Sequence, residues 1–131
     1  MRVLLDTHAF LWFIDGDARL SRHARALIED PSNERLLSVG SLWEMAIKAG
    51  LGRLDLALPF PDLVERQVER NAMVVLPVLP PHLDAVASLP HHHRDPFDRL
   101  IIAQAISEDV PVVSRDGAFA AYPLPVLWDE P

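Results

Sequence analysis

Arg2-Val3-Leu4-Leu5-Asp6-Thr7-His8-Ala9-Phe10-Leu11-Trp12-Phe13-Ile14 runs from an apolar strand through an acid into an apolar helix. Arg2 to Leu5 reads as a short buried strand. Thr7 can cap the helix that follows. His8 to Ile14 is apolar nearly all round, as expected of a helix enclosed in a layered core. Asp6 stands between the two, directly after an apolar strand and before an apolar helix. A carboxylate partly buried there is costly unless it finds a partner.

The alternation of strand and helix continues along the chain. Asp15-Gly16-Asp17 breaks the first helix, and Ser21 opens an amphipathic one with Ala24, Leu27 and Ile28 on one face. Leu36 to Val39 reads as a second strand. Ser41-Leu42-Trp43-Glu44 matches a capping box at the start of a helix that stops near Gly50-Leu51-Gly52. Leu54, Leu56 and Leu58 alternate with Asp55 and Ala57, suggesting a short extended piece. Pro61 fits the first turn of a helix to about Asn71. Met73 to Leu76 is a third strand, Pro80-Pro81 starts a helix ending before Pro90, and Asp95-Pro96 starts a long one. Val112 to Ser114 is a fourth strand, with Val126-Leu127 as a fifth at an edge. Such alternation indicates an α/β fold, a parallel sheet of four to five strands with helices on both faces. No repeat or linker interrupts it, so residues 1–131 read as one domain.

Composition narrows the function classes. Of the 131 residues, 50% are hydrophobic, which excludes disorder. The formal net charge of -7 argues against a general nucleic-acid coat. It does not exclude a nuclease, because clustered metal-binding acids lower the net charge while bound cations reverse the local field. There is no cysteine, hence no disulfide framework and no thiolate zinc site. No leader precedes the first strand and no apolar run approaches the ~20 residues needed to span a bilayer. The expectation is a protein of the cytoplasm with no membrane partner.

Four acids follow strand ends or open helices: Asp6, Glu44, Asp98 and Asp116. Loops at the carboxyl ends of parallel strands share one edge of the sheet, so these acids are expected to meet in one cleft. Converging carboxylates repel unless a hard divalent cation such as Mg²⁺ neutralises them. The pattern points to metal-dependent phosphodiester chemistry. Each acid also has a structural reading. Glu44 occupies the capping-box position, Asp98 favours a helix dipole, Asp116 precedes Gly117 in a turn, and Asp95 suits the N-cap before Pro96. Lys48 lies four residues after Glu44, as a surface ion pair worth ~0.3–0.5 kcal/mol or as a phosphate contact. Arg94, Arg99 and Arg115 each neighbour an acid and are read either as phosphate contacts or as solvated charges. His91-His92-His93 reads as an exposed loop, since three consecutive residues rarely aim at one ion. Trp12, Trp43 and Trp128 read as core or packing residues rather than base-stacking platforms.

Four segments together resemble a known family. Leu4-Leu5-Asp6-Thr7-His8, Ser38 through Ser41-Leu42-Trp43-Glu44-Met45-Ala46-Ile47-Lys48, Asp95-Pro96-Phe97-Asp98-Arg99-Leu100-Ile101-Ile102-Ala103-Gln104-Ala105 and Val112-Val113-Ser114-Arg115-Asp116 look like the successive motifs of PIN-domain proteins. They look most like the VapC-type toxins of bacterial toxin–antitoxin pairs. The resemblance implies an α/β/α sandwich and an endoribonuclease dependent on Mg²⁺ or Mn²⁺, with water attacking phosphorus. Its acids match Asp6, Glu44, Asp98 and Asp116, and Thr7 matches the hydroxyl residue that often follows the first acid. Thr7, Lys48 and Arg99 are then the expected substrate contacts. Partners implied are an RNA substrate, a small co-encoded antitoxin and a second copy in a homodimer. A housekeeping PIN-type nuclease and a non-catalytic PIN-like binding module are the alternatives. A phosphoacceptor signalling domain would need a lysine after a late strand, and Lys48 lies in the wrong half.

Overall fold

The computed structural model describes residues 1–130 and holds five strands in one sheet. They are β1 (Arg2–Leu5), β2 (Glu34–Ser38), β3 (Val74–Leu76), β4 (Val112–Val113) and β5 (Val126–Leu127). Their order is β3-β2-β1-β4-β5, and every neighbouring pair is parallel. The helices between them are α1 (Thr7–Asp15), α2 (Arg22–Glu29), α3 (Val39–Gly50), α4 (Phe60–Leu63), α5 (Pro80–Ser88) and α6 (Pro96–Glu108).

Alternation along the strands splits the core in two, because successive side chains point to opposite faces. Val3 and Leu5 of β1, with Leu37 and Val113, face α1, α2 and α3 through Phe10, Ala24, Ile28 and Met45. Leu4, Leu36 and Val112 face α6 through Ile101, Ile102 and Ala105, with Phe119 and Tyr122 closing that side. The result is the expected α/β/α sandwich, with β5 at an edge as read from the sequence. Among the described residues no helix is long and apolar enough to cross a membrane.

Three local expectations are corrected. β2 ends one residue early, and the cap of α3 is Ser38, whose side chain accepts from Gly40 N–H. Ser41 and Glu44 therefore lie inside the helix, and the capping-box reading of Glu44 falls. The Leu54 to Leu58 stretch joins no ladder; its leucines pack on the first core instead. The helix begun at Phe60 widens into a π-helical stretch over Val64–Glu69.

Gly40 brings α3 close to α6. A Cβ at that position would lie 2.5 Å from Leu100 Cδ2, so only glycine allows this approach without displacing the leucine. The close crossing draws Glu44 on α3 toward Asp98 on α6.

Candidate active site at the carboxyl edge of the sheet

Asp6 is the first residue after β1. It caps α1, Oδ1 accepting from Ala9 N–H at 2.6 Å, and Oδ2 accepts from Ser114 Oγ at 2.5 Å. Parallel pairing of Leu5 with Val113 sets Ser114 beside Asp6. The Ser114 hydroxyl also accepts from Asp116 N–H at 3.0 Å, so it links the acid after β1 to the acid after β4.

Glu44 is 3% exposed. Its Oε1 accepts from Thr7 Oγ1 at 2.8 Å and its Oε2 from Lys48 Nζ at 2.5 Å. Thr7 Oγ1 also lies 2.9 Å from Ser41 Oγ. A hydroxyl has one proton, and a charged acceptor makes the stronger bond, so Thr7 donates to Glu44 and Ser41 donates to Thr7. Thr7 was expected to touch substrate; it is buried, and its hydroxyl is committed to holding Glu44. The pairing with Glu44 raises the Lys48 pKa, with smaller contributions from Asp95 and Asp98.

Asp98 lies in the first turn of α6, whose N-cap is Asp95. The Asp95 carboxylate accepts from Phe97 N–H at 2.8 Å and Asp98 N–H at 3.1 Å, as the cap reading required. Burial first, then the charge of Asp95, pushes the Asp98 carboxyl up to about 7, with Asp6 and Glu44 adding to the repulsion. Burial also raises Asp6, against the bonds from Ser114 and Ala9. At Asp116 burial works upward too, but bonds from His93 and Ala118 outweigh it and the carboxyl is lowered.

His93 is the residue that sequence reasoning missed. The histidine run was expected to be an exposed loop away from any ion, yet His93 Nε2 sits 2.9 Å from Asp116 Oδ2 and 3.3 Å from Asp98 Oδ2. Its Nδ1 accepts from Asp95 N–H at 3.2 Å, so the neutral ring carries its proton on Nε2 and donates toward the acids. The available signal was its place two residues before the Asp95 cap. His91 and His92 are exposed, as expected of the loop.

Arg99 is corrected outright. Its guanidinium was expected at a phosphate, but it is 9% exposed and donates to the carbonyls of Pro90, His93, Val86 and Leu89. Arg99 therefore braces the loop that carries His93. Arg115 and Arg94 are exposed. Trp12 is half-buried at the cleft, not enclosed in the core as the apolar helix suggested.

The donor set suits a divalent cation. Ligand atoms of His93, Asp98 and Asp116 lie within 4.8 Å of one another, and the raised Asp98 pKa marks a carboxylate short of positive charge. Carboxylate oxygens are ligands of hard metals, and His93, its Nε2 proton turned to Asp116, positions them.

This is an α/β/α domain that gathers carboxylates and an imidazole at the carboxyl edge of a parallel sheet. The chain belongs to the PIN domain family, whose model matches residues 3–124. PIN domains are generally nucleases. No curated protein matches the chain. Among solved structures it is similar to VapBC2 from Rickettsia felis bound to a DNA fragment from their promoter, at 17% identity and TM-score 0.72 over 98% of this chain and 100% of that one. FitAcB from Neisseria gonorrhoeae is 20% identical with TM-score 0.66, over 95% and 96% of the two chains. VapBC-5 from Mycobacterium tuberculosis, a member of the VapBC family of toxin-antitoxin systems, is 23% identical with TM-score 0.61 over 98% of each chain. At such identities the likeness shows the fold.

Proposed function

We propose that this chain is an endoribonuclease dependent on Mg²⁺ or Mn²⁺ and acts as the toxin of a toxin–antitoxin pair in the cytoplasm. The observation that carries the reading is the convergence of Asp6, Glu44, Asp98 and Asp116 on one sheet edge of a PIN domain. Asp6, Asp98 and Asp116 would hold the cation, with Glu44 completing the acidic cup directly or through water. When bound, such a cation lowers the pKa of a coordinated water and steadies charge developing on the phosphate.

The chain's own groups do the positioning. Ser114 fixes Asp6, and Thr7 fixes Glu44, so neither acid must be ordered when substrate arrives. His93 Nε2–H holds Asp98 and Asp116 at one spacing. Lys48 uses one ammonium proton on Glu44 and is partly exposed, which leaves donors for a phosphate oxygen at the cleft rim. No side chain is needed as nucleophile.

The toxin assignment is supported by the VapBC and FitAcB structures that share the fold. The partner expected is a small co-encoded antitoxin placing an arginine or a bulky residue beside the four acids, since a guanidinium pairs bidentately with carboxylates. A homodimer is proposed on the resemblance alone.

Incubation with single-stranded RNA and with DNA of the same sequence, in Mg²⁺ and in EDTA, tests the reading. RNA cleavage that needs the cation and is lost in Asp98→Asn is expected, with growth arrest when wild type is induced alone. Cleavage unaffected by EDTA would overturn the metal role. Metal-dependent cleavage without growth arrest would leave a housekeeping nuclease.

A further inference from the structure

Two clefts flank the acids, and they share His8, Trp12 and Arg19. One runs past Glu44 to Lys48 and Arg53. The other runs past Asp6 and Asp116 to Arg115. The shared residues therefore lie along a path that passes the acids and carries cations at both ends.

Trp12 is the aromatic surface on this path. Its indole is propped edge-on by Trp128 at 6.0 Å and lies beside His8 at 5.8 Å. The Arg19 guanidinium lies over the indole ring, 4.9 Å from its centroid, and that of Arg115 lies over it at 5.9 Å. Arg19 is held by Asp17, which takes three of its hydrogen bonds. Arg115 has no hydrogen-bonded acceptor among the described residues and is exposed, so its donors face the solvent of the cleft. A half-buried indole with a tethered guanidinium and an untethered one, one residue from Asp116, combines a stacking plane with a phosphate donor.

We infer that Trp12, Arg19 and Arg115 form the subsite for an unpaired nucleotide next to the scissile phosphate. The base takes the place of the untethered Arg115 guanidinium over the indole, and Arg115 turns to the adjoining phosphate. Only a base released from a helix can offer its face to Trp12, so this subsite takes an unpaired nucleotide and not one held in a duplex. This rests on the ribonuclease reading above and names where its substrate strand lies.

Fluorescence anisotropy of a short labelled single-stranded RNA in EDTA tests it, beside a cleavage assay of the same proteins in Mg²⁺. Trp12→Ala should weaken binding roughly ten- to a hundredfold, with Trp12→Phe recovering most of it, because stacking and not the indole N–H carries the contact. Arg115→Ala should flatten the log–log dependence of affinity on salt by about 0.7, the effect of one lost phosphate contact to a single strand. A duplex of the same sequence should bind more weakly than the single strand. The subsite is refuted, with the nuclease reading intact, if wild type cleaves RNA and both alanine variants bind as it does. Duplex bound as tightly as single strand refutes it too. A wild type that neither binds nor cleaves RNA overturns both.

Discussion

His93 Nε2 stands 2.9 Å from Asp116 Oδ2, to which it hydrogen-bonds, and 3.3 Å from Asp98 Oδ2, so one imidazole sits between the acid after β4 and the acid that opens α6. The ring cannot turn freely, because Asp95 N–H holds its other nitrogen.

The first prediction follows from that clamp. His93→Ala frees two like charges to separate. Groups that orient metal-binding carboxylates typically matter ten- to a hundredfold in metal affinity or activity, and a loss of about that size is expected in Mn²⁺ titration and in cleavage alike. Unchanged Mn²⁺ affinity would make the contact incidental.

Asp98 gives the pH dependence. Its carboxyl is raised from 3.8 to about 7, by burial first and then by Asp95. The folded protein therefore keeps a proton that the unfolded chain has released. Stability from protonated Asp98 is present in full below the unfolded value and is lost as pH rises through the folded one. In EDTA the melting temperature should fall as pH is raised across this window. Asp98→Asn should flatten part of that slope but not all, because Asp6 is raised as well and titrates with the same sign. Added Mn²⁺ should stabilise wild type more above the window than below it. A slope unaltered in Asp98→Asn would contradict the assignment.

Asp95 and Asp98 should separate cleanly. Asp95 caps α6, and its change to Ala should cost about 1 kcal/mol in denaturant unfolding while leaving most activity. Asp98→Asn should keep the fold and lose nearly all cleavage. The opposite pattern would move the candidate ligand to Asp95.

Arg99 provides the contrast with Arg115. Removing the buried guanidinium leaves the carbonyls of His93 and Leu89 without a donor, while those of Pro90 and Val86 keep Tyr122 O–H and Leu89 N–H, and should destabilise by about 2 kcal/mol or more. Activity should fall with it, since the loop bearing His93 loses its brace. The salt dependence of RNA binding should not change. A flatter salt slope in Arg99→Ala would return this residue to the phosphate.

Much of the architecture was legible because periodicity reports burial directly. β1, β3, β4, β5 and the helices from Ser21, Pro80 and Asp95 stand within a residue or so of where their patterns put them. The misreadings share a cause: local chemistry offered two partners and tertiary contact chose. Ser41-x-x-Glu44 has the letters of a capping box, but Ser38 takes the cap, and Thr7 from another element takes Glu44. Arg99 follows an acid in sequence, yet carbonyls of a loop ten residues back captured it. His93 gave no periodic signal, because its role depends on how the loop before α6 is folded. Trp12 looked like core because a helix that is apolar all round cannot show which side the sheet leaves uncovered.

The order in which the chain is made has a consequence for when it can act. β1 is synthesised before the other four strands, yet it lies at the middle of the sheet with β4 as one neighbour. Asp6 and Glu44 leave the ribosome well before Asp98, Ser114 and Asp116. Until then Asp6 lacks the hydroxyl that orients it, and β1 has an unpaired flank. Contacts so distant in sequence also form late in folding. Under the ribonuclease reading, the blade is assembled only once β4 and Asp116 have followed β1, which leaves an interval for a co-translated inhibitor to be ready first.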